Sequence, residues 1–188
     1  MSDTKEFERA SEAFGSGNYA LAKELFGQLE SNEYPRANLY LGWMCAQGLG
    51  GPENLKEAEY HYRRLADTGD PDGKYFLAAT LHARRDYHSA VSLYQEAADA
   101  GNASAAFWTY SLYRNDLPQE VDSEKKAQEY LLKAARLGHI FAKRDLLIQE
   151  FTHGQTFARR LLARVQCWGV VFKGFILAIR NVEDPRVR

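Results

Sequence analysis

KEAEYHYRRLADTG at 56–69, HSAVSLYQEAADAG at 88–101 and KKAQEYLLKAARLG at 125–138 are three versions of one fourteen-residue phrase. They share Ala58/Ala90/Ala127, a large residue at Tyr62/Tyr94/Leu131, Ala66/Ala98/Ala135 and a closing Gly69/Gly101/Gly138. The shared positions fall at i, i+4, i+8 and i+11, which is the period of a helix face. A glycine just past the last periodic residue is the usual helix stop, because φ > 0 costs it nothing. The glycines stand 32 and 37 residues apart. Self-similarity at that period predicts stacked helical hairpins, an all-α solenoid of about ten helices in antiparallel pairs.

Working outward, each phrase follows a second helix that opens on a small residue four places after a glycine: Gly73, Ala105 and Ala142, with Ala37 as the matching start of the earliest. These helices read ANLYLGWMCAQG, GKYFLAATLHAR and AAFWTYSLYRND, with Leu41, Leu77 and Thr109 in one register. In the next register stand Gly42 and Ala78, small residues that let helices approach closely. Tyr110 takes that place in the third unit, so looser or offset packing is expected there.

The stretch 37–69 resembles a Sel1-like repeat, a relative of the tetratricopeptide repeat. The matching elements are Ala37, Leu41-Gly42, Gly48-x-Gly50, Lys56-x-Ala58, Tyr62, Ala66 and Gly69. The unit from Gly73 to Gly101 lacks the glycine loop and is closer to an ordinary tetratricopeptide unit. The unit from Ala105 carries NDLPQEVD in place of the loop glycines. Residues 18–31 resemble a divergent opening copy, with Ala22 and Phe26 in register. The resemblance extends over roughly 5–153, giving a repeat solenoid at 1–154 and a separate basic amphipathic helix and tail at 155–188. It implies a protein–protein interaction adaptor or scaffold, in bacteria associated with envelope and surface-polysaccharide assembly.

A formal net charge of −1 argues against a general nucleic-acid binder. The charge is uneven, however. Residues 1–153 carry 17 Lys/Arg against 23 Asp/Glu, and residues 154–188 carry 7 against 2. Such asymmetry suggests a terminal segment with its own partner. The opening MSDTKEFERASEAF has no apolar core of the secretory kind. Cys45 and Cys167 read as reduced thiols used for packing, so a cytoplasmic location, peripheral at the inner membrane, is the expectation.

Chemistry is sparse. His61, His82, His88, His139 and His153 lie in no HExxH pattern and at no zinc spacing with cysteine. His61 stands where the family often has a large aromatic and reads as packing. GLGG at 48–51 has no preceding strand and no Lys-Ser/Thr after it, so it is not a phosphate loop. The expectation is no catalytic residue, no cofactor, no metal and no small-molecule substrate.

Surface is what remains. In hairpin solenoids the first helix of each pair lines the concave side. The expected partner groove therefore contains Leu39, Trp43, Tyr75, His82, Phe107, Ser111 and Arg114, aromatics beside a basic group as in protein recognition. For Tyr75 and Phe107, packing between hairpins is the competing reading.

The last segment departs from the repeat. FARRLLARVQCWGVVFKGFILAIRN at 157–181 places Phe157, Leu161, Val165, Trp168, Phe172, Phe175, Ile176 and Ile179 at steps of three and four. Arg159, Gln166, Lys173 and Arg180 recur every seventh residue on a narrow polar stripe. The ten Leu, Ile, Val and Phe residues of 161–179 offer roughly −3 to −6 kcal/mol for insertion; Lys173 costs about 3, and Arg164 and Gln166 add more. Crossing would also carry Arg180, Arg186 and Arg188 over against the positive-inside tendency, so the sum is close to zero and a span is not favoured. A helix lying in the interface fits better, with basic residues snorkelling to headgroups. The expected docking set is Arg159, Arg160, Arg164, Trp168, Phe172, Lys173, Phe175 and Ile176. A membrane protein would satisfy the same surface. Self-association in a soluble oligomer, a cap on the last repeat and a non-catalytic subunit of an enzyme complex are the alternatives.

Overall fold

The computed structural model describes residues 2–31, 34–153 and 164–171, and among these all regular structure is helical. The helices are α1 (Ser2–Gly15), α2 (Tyr19–Ser31), α3 (Ala37–Gln47), α4 (Leu55–Asp67), α5 (Pro71–Ala83), α6 (Tyr87–Asp99), α7 (Ala103–Ser111), α8 (Ser123–Arg136) and α9 (Ile140–His153). A π-helical turn, Leu112–Asp116, continues α7, and residues 164–171 are helical. The chain divides into two compact units between residues 80 and 81.

The repeated glycines stop the helices as their spacing predicts. Gly69, Gly101 and Gly138 have φ of +85°, +97° and +99°. After α6 the Gly101 amide donates to the Ala98 carbonyl at 3.1 Å and the Asn102 amide to the Ala97 carbonyl at 2.9 Å. After α8 the pattern recurs from Gly138 to Ala135 and from His139 to Ala134, at 3.1 and 2.9 Å. These paired bonds satisfy carbonyls that a helix end leaves orphaned. The residue after each glycine then caps the next helix. Asp70, Asn102 and His139 accept from the amides of Gly73, Ala105 and Ala142. Stop and start signals are thus adjacent, which holds each turn to a few residues.

In the first unit, Ala22, Phe26, Leu29, Ala37 and Met44 are fully buried. Tyr40 stacks on Phe26 at 4.6 Å, and Phe7 meets both edge-on. Burying a side chain of this size contributes about 1.5–3 kcal/mol, so such a cluster fixes how α1, α2 and α3 pack. Farther on, Tyr62 stacks on Phe76 at 5.1 Å. A Cβ at Gly73 would lie 2.6 Å from the Ala66 nitrogen, so α5 begins in backbone contact with α4.

In the second unit, α6 to α9 bury Tyr94, Leu112 and Leu131 almost completely. Tyr94 stacks parallel to Trp108, with ring centroids 6.5 Å apart. Tyr110 is itself buried, and α7 gives way to the π-helical turn just after it. The large residue at the small-residue position thus coincides with an offset in the helix. The NDLPQEVD loop closes with the Leu117 amide on the Leu112 carbonyl at 2.8 Å, and Asp122 takes φ +60° where the first repeat uses glycines.

Candidate functional site

The residues expected in the groove have different fates. In the first unit Leu39 is 1% and Tyr75 7% exposed, so both are interior and pack rather than face a partner. Trp43 is half-buried, its ring edge-on to Phe76 at 6.1 Å. In the second unit His82 is half-buried among Tyr87, Tyr94 and Trp108, with Nε2 3.8 Å from an Asp116 carboxylate oxygen. Phe107 is half-buried and stacks on His139 at 4.4 Å, which supports the packing reading for it. Ser111 accepts from the Asn115 amide at 3.2 Å. Arg114 is exposed and donates to the Tyr110 hydroxyl while lying over that ring. With Tyr110, Tyr113, Pro118, Ser123 and Gln149 it lines a cavity open to solvent.

Arg164 and Trp168 are the described members of the expected docking set. Arg159, Arg160, Phe172, Lys173, Phe175 and Ile176 lie outside the described residues. Residues 164–171 run beside α9, and Gln166, Gly169 and Val170 share an apolar groove with Lys143, Leu146, Leu147 and Glu150. The Arg164 guanidinium sits 5.8 Å above the Phe151 ring. Val165 and Trp168, both from the wide apolar face, are 64% and 75% exposed, and Val171 is 47% exposed. Among the described residues no helix is long and apolar enough to cross a membrane.

Sequence reasoning missed a polar cluster between α3 and α4. Cys45 is buried on α3, and Glu57 and His61 sit one turn apart on α4. The His61 Nδ1 lies 3.0 Å from the Asn38 Oδ1 and 3.3 Å from a Glu30 carboxylate oxygen, which is also held by Arg64 at 2.8 Å. Burial lowers the His61 pKa, with Arg64 acting in the same direction, against the pull of Glu30 and Glu57. Burial likewise pushes the Cys45 thiol up to about 11, with Lys23 opposing the shift. His61 therefore occupies an aromatic's place but makes hydrogen bonds rather than pure packing contacts. One signal was available: the other copies of the repeat place no comparable Cys/Glu/His set at these positions.

The comparisons with known proteins agree with this architecture. No curated protein sequence matches the chain. A crystal structure of a protective antigen from uropathogenic Escherichia coli strains, displaying an SLR fold, superposes with a TM-score of 0.73 at 16% identity. The match covers 87% of this chain and 37% of that one, so this chain spans little more than a third of the antigen's length. A Sel1 repeat protein from Oxalobacter formigenes superposes with a TM-score of 0.76 at 18% identity, over 98% of this chain and 83% of that one. At these identities the likeness is one of fold, the all-α solenoid class. The Sel1 repeat family model matches residues 35–70, 73–102 and 111–139, three repeats that coincide with the hairpins closed by Gly69, Gly101 and Gly138, and the chain belongs to the Sel1 repeat family.

Proposed function

We propose that this protein is a non-catalytic adaptor that holds a protein partner on its repeats and docks on a membrane surface through residues 155–188. Sel1 repeat proteins mediate protein–protein interaction, which gives the first half of this reading. Trp43 on the first unit, and His82 and Arg114 on the second, are the residues retained as partner contacts. The observation that supports docking is Trp168, 75% exposed on a helical segment whose Gln166, Gly169 and Val170 instead line a groove with α9. A large apolar side chain gains about 1.5–3 kcal/mol on leaving water, and each Lys or Arg near an anionic surface adds about 1. The segment has both, with seven basic residues against two acidic ones over 154–188. The setting proposed is the cytoplasmic face of a bacterial membrane, in an envelope or polysaccharide assembly complex.

Flotation of the full-length chain with anionic and neutral liposomes tests the docking. The expected result is flotation with anionic vesicles that weakens with salt and falls by orders of magnitude when Arg159, Arg160, Arg164 and Lys173 become Gln. Trp168→Ala should weaken it further in the same background. Failure to float with either vesicle, in a protein that is soluble and monomeric, removes the lipid reading. If fractionation with native membranes persists despite that failure and is lost in Trp168→Ala, the anchor is a membrane protein instead.

A further inference from the structure

The polar cluster of the first repeat has the composition of a ligand set. One atom from each of Cys45, Glu57 and His61 (the thiol sulfur, a carboxylate oxygen and a ring nitrogen) lies within 4.8 Å of the other two. Cys45 is 1% and His61 6% exposed, whereas the Glu57 side chain is 40% exposed, so the cluster opens to solvent on one side. Thiolate, imidazole and carboxylate together suit zinc and its neighbours among the divalent transition metals.

Comparison within the chain separates scaffold from chemistry. In the repeat register, Cys45, Glu57 and His61 correspond to Leu81, Ser89 and Leu93 in the second copy and to Tyr113, Lys126 and Tyr130 in the third. The third copy brings these positions together too. The Lys126 ammonium lies 4.9 Å over the Tyr113 ring, and Gln95, which donates to the Tyr113 hydroxyl at 3.0 Å, also neighbours Tyr130. Convergence is therefore a property of the hairpin, and the first copy alone fills the three positions with metal-ligating side chains.

The surroundings orient the ring as bound histidines are oriented. With its Nδ1 edge turned to Asn38 and Glu30, the His61 ring leaves Nε2 as the nitrogen for a metal. Arg64 fixes Glu30 in turn. Lys23, 3.8 Å from a Glu57 oxygen and also acting on the Cys45 thiol, supplies the local positive charge that an ion would replace, and its side chain is 32% exposed.

The geometry points to a zinc-class divalent metal site in the first repeat, with the Cys45 thiolate, the Glu57 carboxylate and His61 Nε2 as ligands and a fourth position open to water. The thiol proton leaves to solvent as the metal–sulfur bond forms. A metal there would tie α3 to α4 and make the stability of this hairpin depend on metal supply.

The test uses the full-length chain stripped with chelator and titrated with Co2+, then with Zn2+. One equivalent of Co2+ should give a thiolate-to-cobalt charge-transfer band and tetrahedral ligand-field bands, both displaced by Zn2+. Cys45→Ala should abolish the charge-transfer band, and Cys167→Ala should leave it unchanged. Glu57→Gln, at the half-exposed ligand, should lower Zn2+ affinity at least about tenfold while circular dichroism stays native, so misfolding is distinguishable from ligand loss. Asn38→Ala should weaken binding by about 10–100-fold through the released ring. The proposal is overturned by the absence of a charge-transfer band in the wild type. It is equally overturned by a band that follows Cys167, or by unchanged affinity in folded Glu57→Gln.

Discussion

Gly42 and Tyr62 are fitted to each other: a Cβ at Gly42 would lie 2.5 Å from Tyr62 Cε1, inside van der Waals contact. Tyr62 has little freedom to retreat, being 4% exposed and stacked on Phe76. Gly42→Ala would gain up to about 1 kcal/mol in helix propensity but lose about 1–3 by overpacking, so net destabilisation is expected. Tyr62→Leu in the Gly42→Ala background should cost less than the two single changes added together. Urea unfolding of the four proteins measures the coupling, and strict additivity would show that the contact is not what requires glycine.

Gly101→Val isolates backbone strain from packing. No atom lies within 4 Å of a Cβ placed there, so the cost is that of holding a β-branched residue at φ +97°. About 1–3 kcal/mol of lost stability is expected, with less for Gly101→Asn, since asparagine tolerates positive φ better. An unchanged melting temperature for the valine variant would refute the capping argument at α6.

His139 should make the second unit acid-sensitive in a defined window. Burial is the main cause of a pKa lowered to about 4, and Phe107 stacks on the ring. Between about 6.5 and 4 the unfolded chain takes up a proton that the folded chain does not, so stability falls as pH is lowered and levels off below 4. The contribution is up to about 3 kcal/mol. His139→Asn removes the titration and keeps an acceptor for the Ala142 amide, as Asn102 does for Ala105. Urea unfolding at pH 7 and 4.5 should show a smaller loss in the variant. Some slope should remain, because the His61 pKa is also lowered by burial.

The partner surface is tested with Trp43→Ala together with Arg114→Ala. Trp43 is only half-buried and Arg114 is exposed, so helicity by circular dichroism should survive while capture of the native partner weakens. Unaffected capture would exclude these residues as contacts. Loss of helicity would assign Trp43 to the core beside Phe76.

The repeat phrase carried most of the fold. Ala58, Ala90 and Ala127, with Tyr62, Tyr94 and Leu131, are all buried as their spacing implies. The glycines terminate helices because positive φ is a local property of one residue and its neighbours. The site was less legible. Leu39 and Tyr75 belong to the helix expected to line a groove, yet both are covered. Helical periodicity gives the face on which a residue stands, whereas exposure depends on what packs against that face.

The sequence by itself thus determined the helical repeat, its stops and caps, and the terminal segment whose composition departs from it, since all of these are set by residues a few places apart. Tertiary structure alone decided which side chains from different helices meet. Cys45 and Glu57 are 12 residues apart and match no ligand spacing, yet the packing of α3 on α4 brings their ligand atoms within 4.8 Å, together with that of His61. The same holds for Gly42 under the Tyr62 ring. Such pairings depend on how closely two helices approach and on their mutual register, quantities fixed only when both are packed in place.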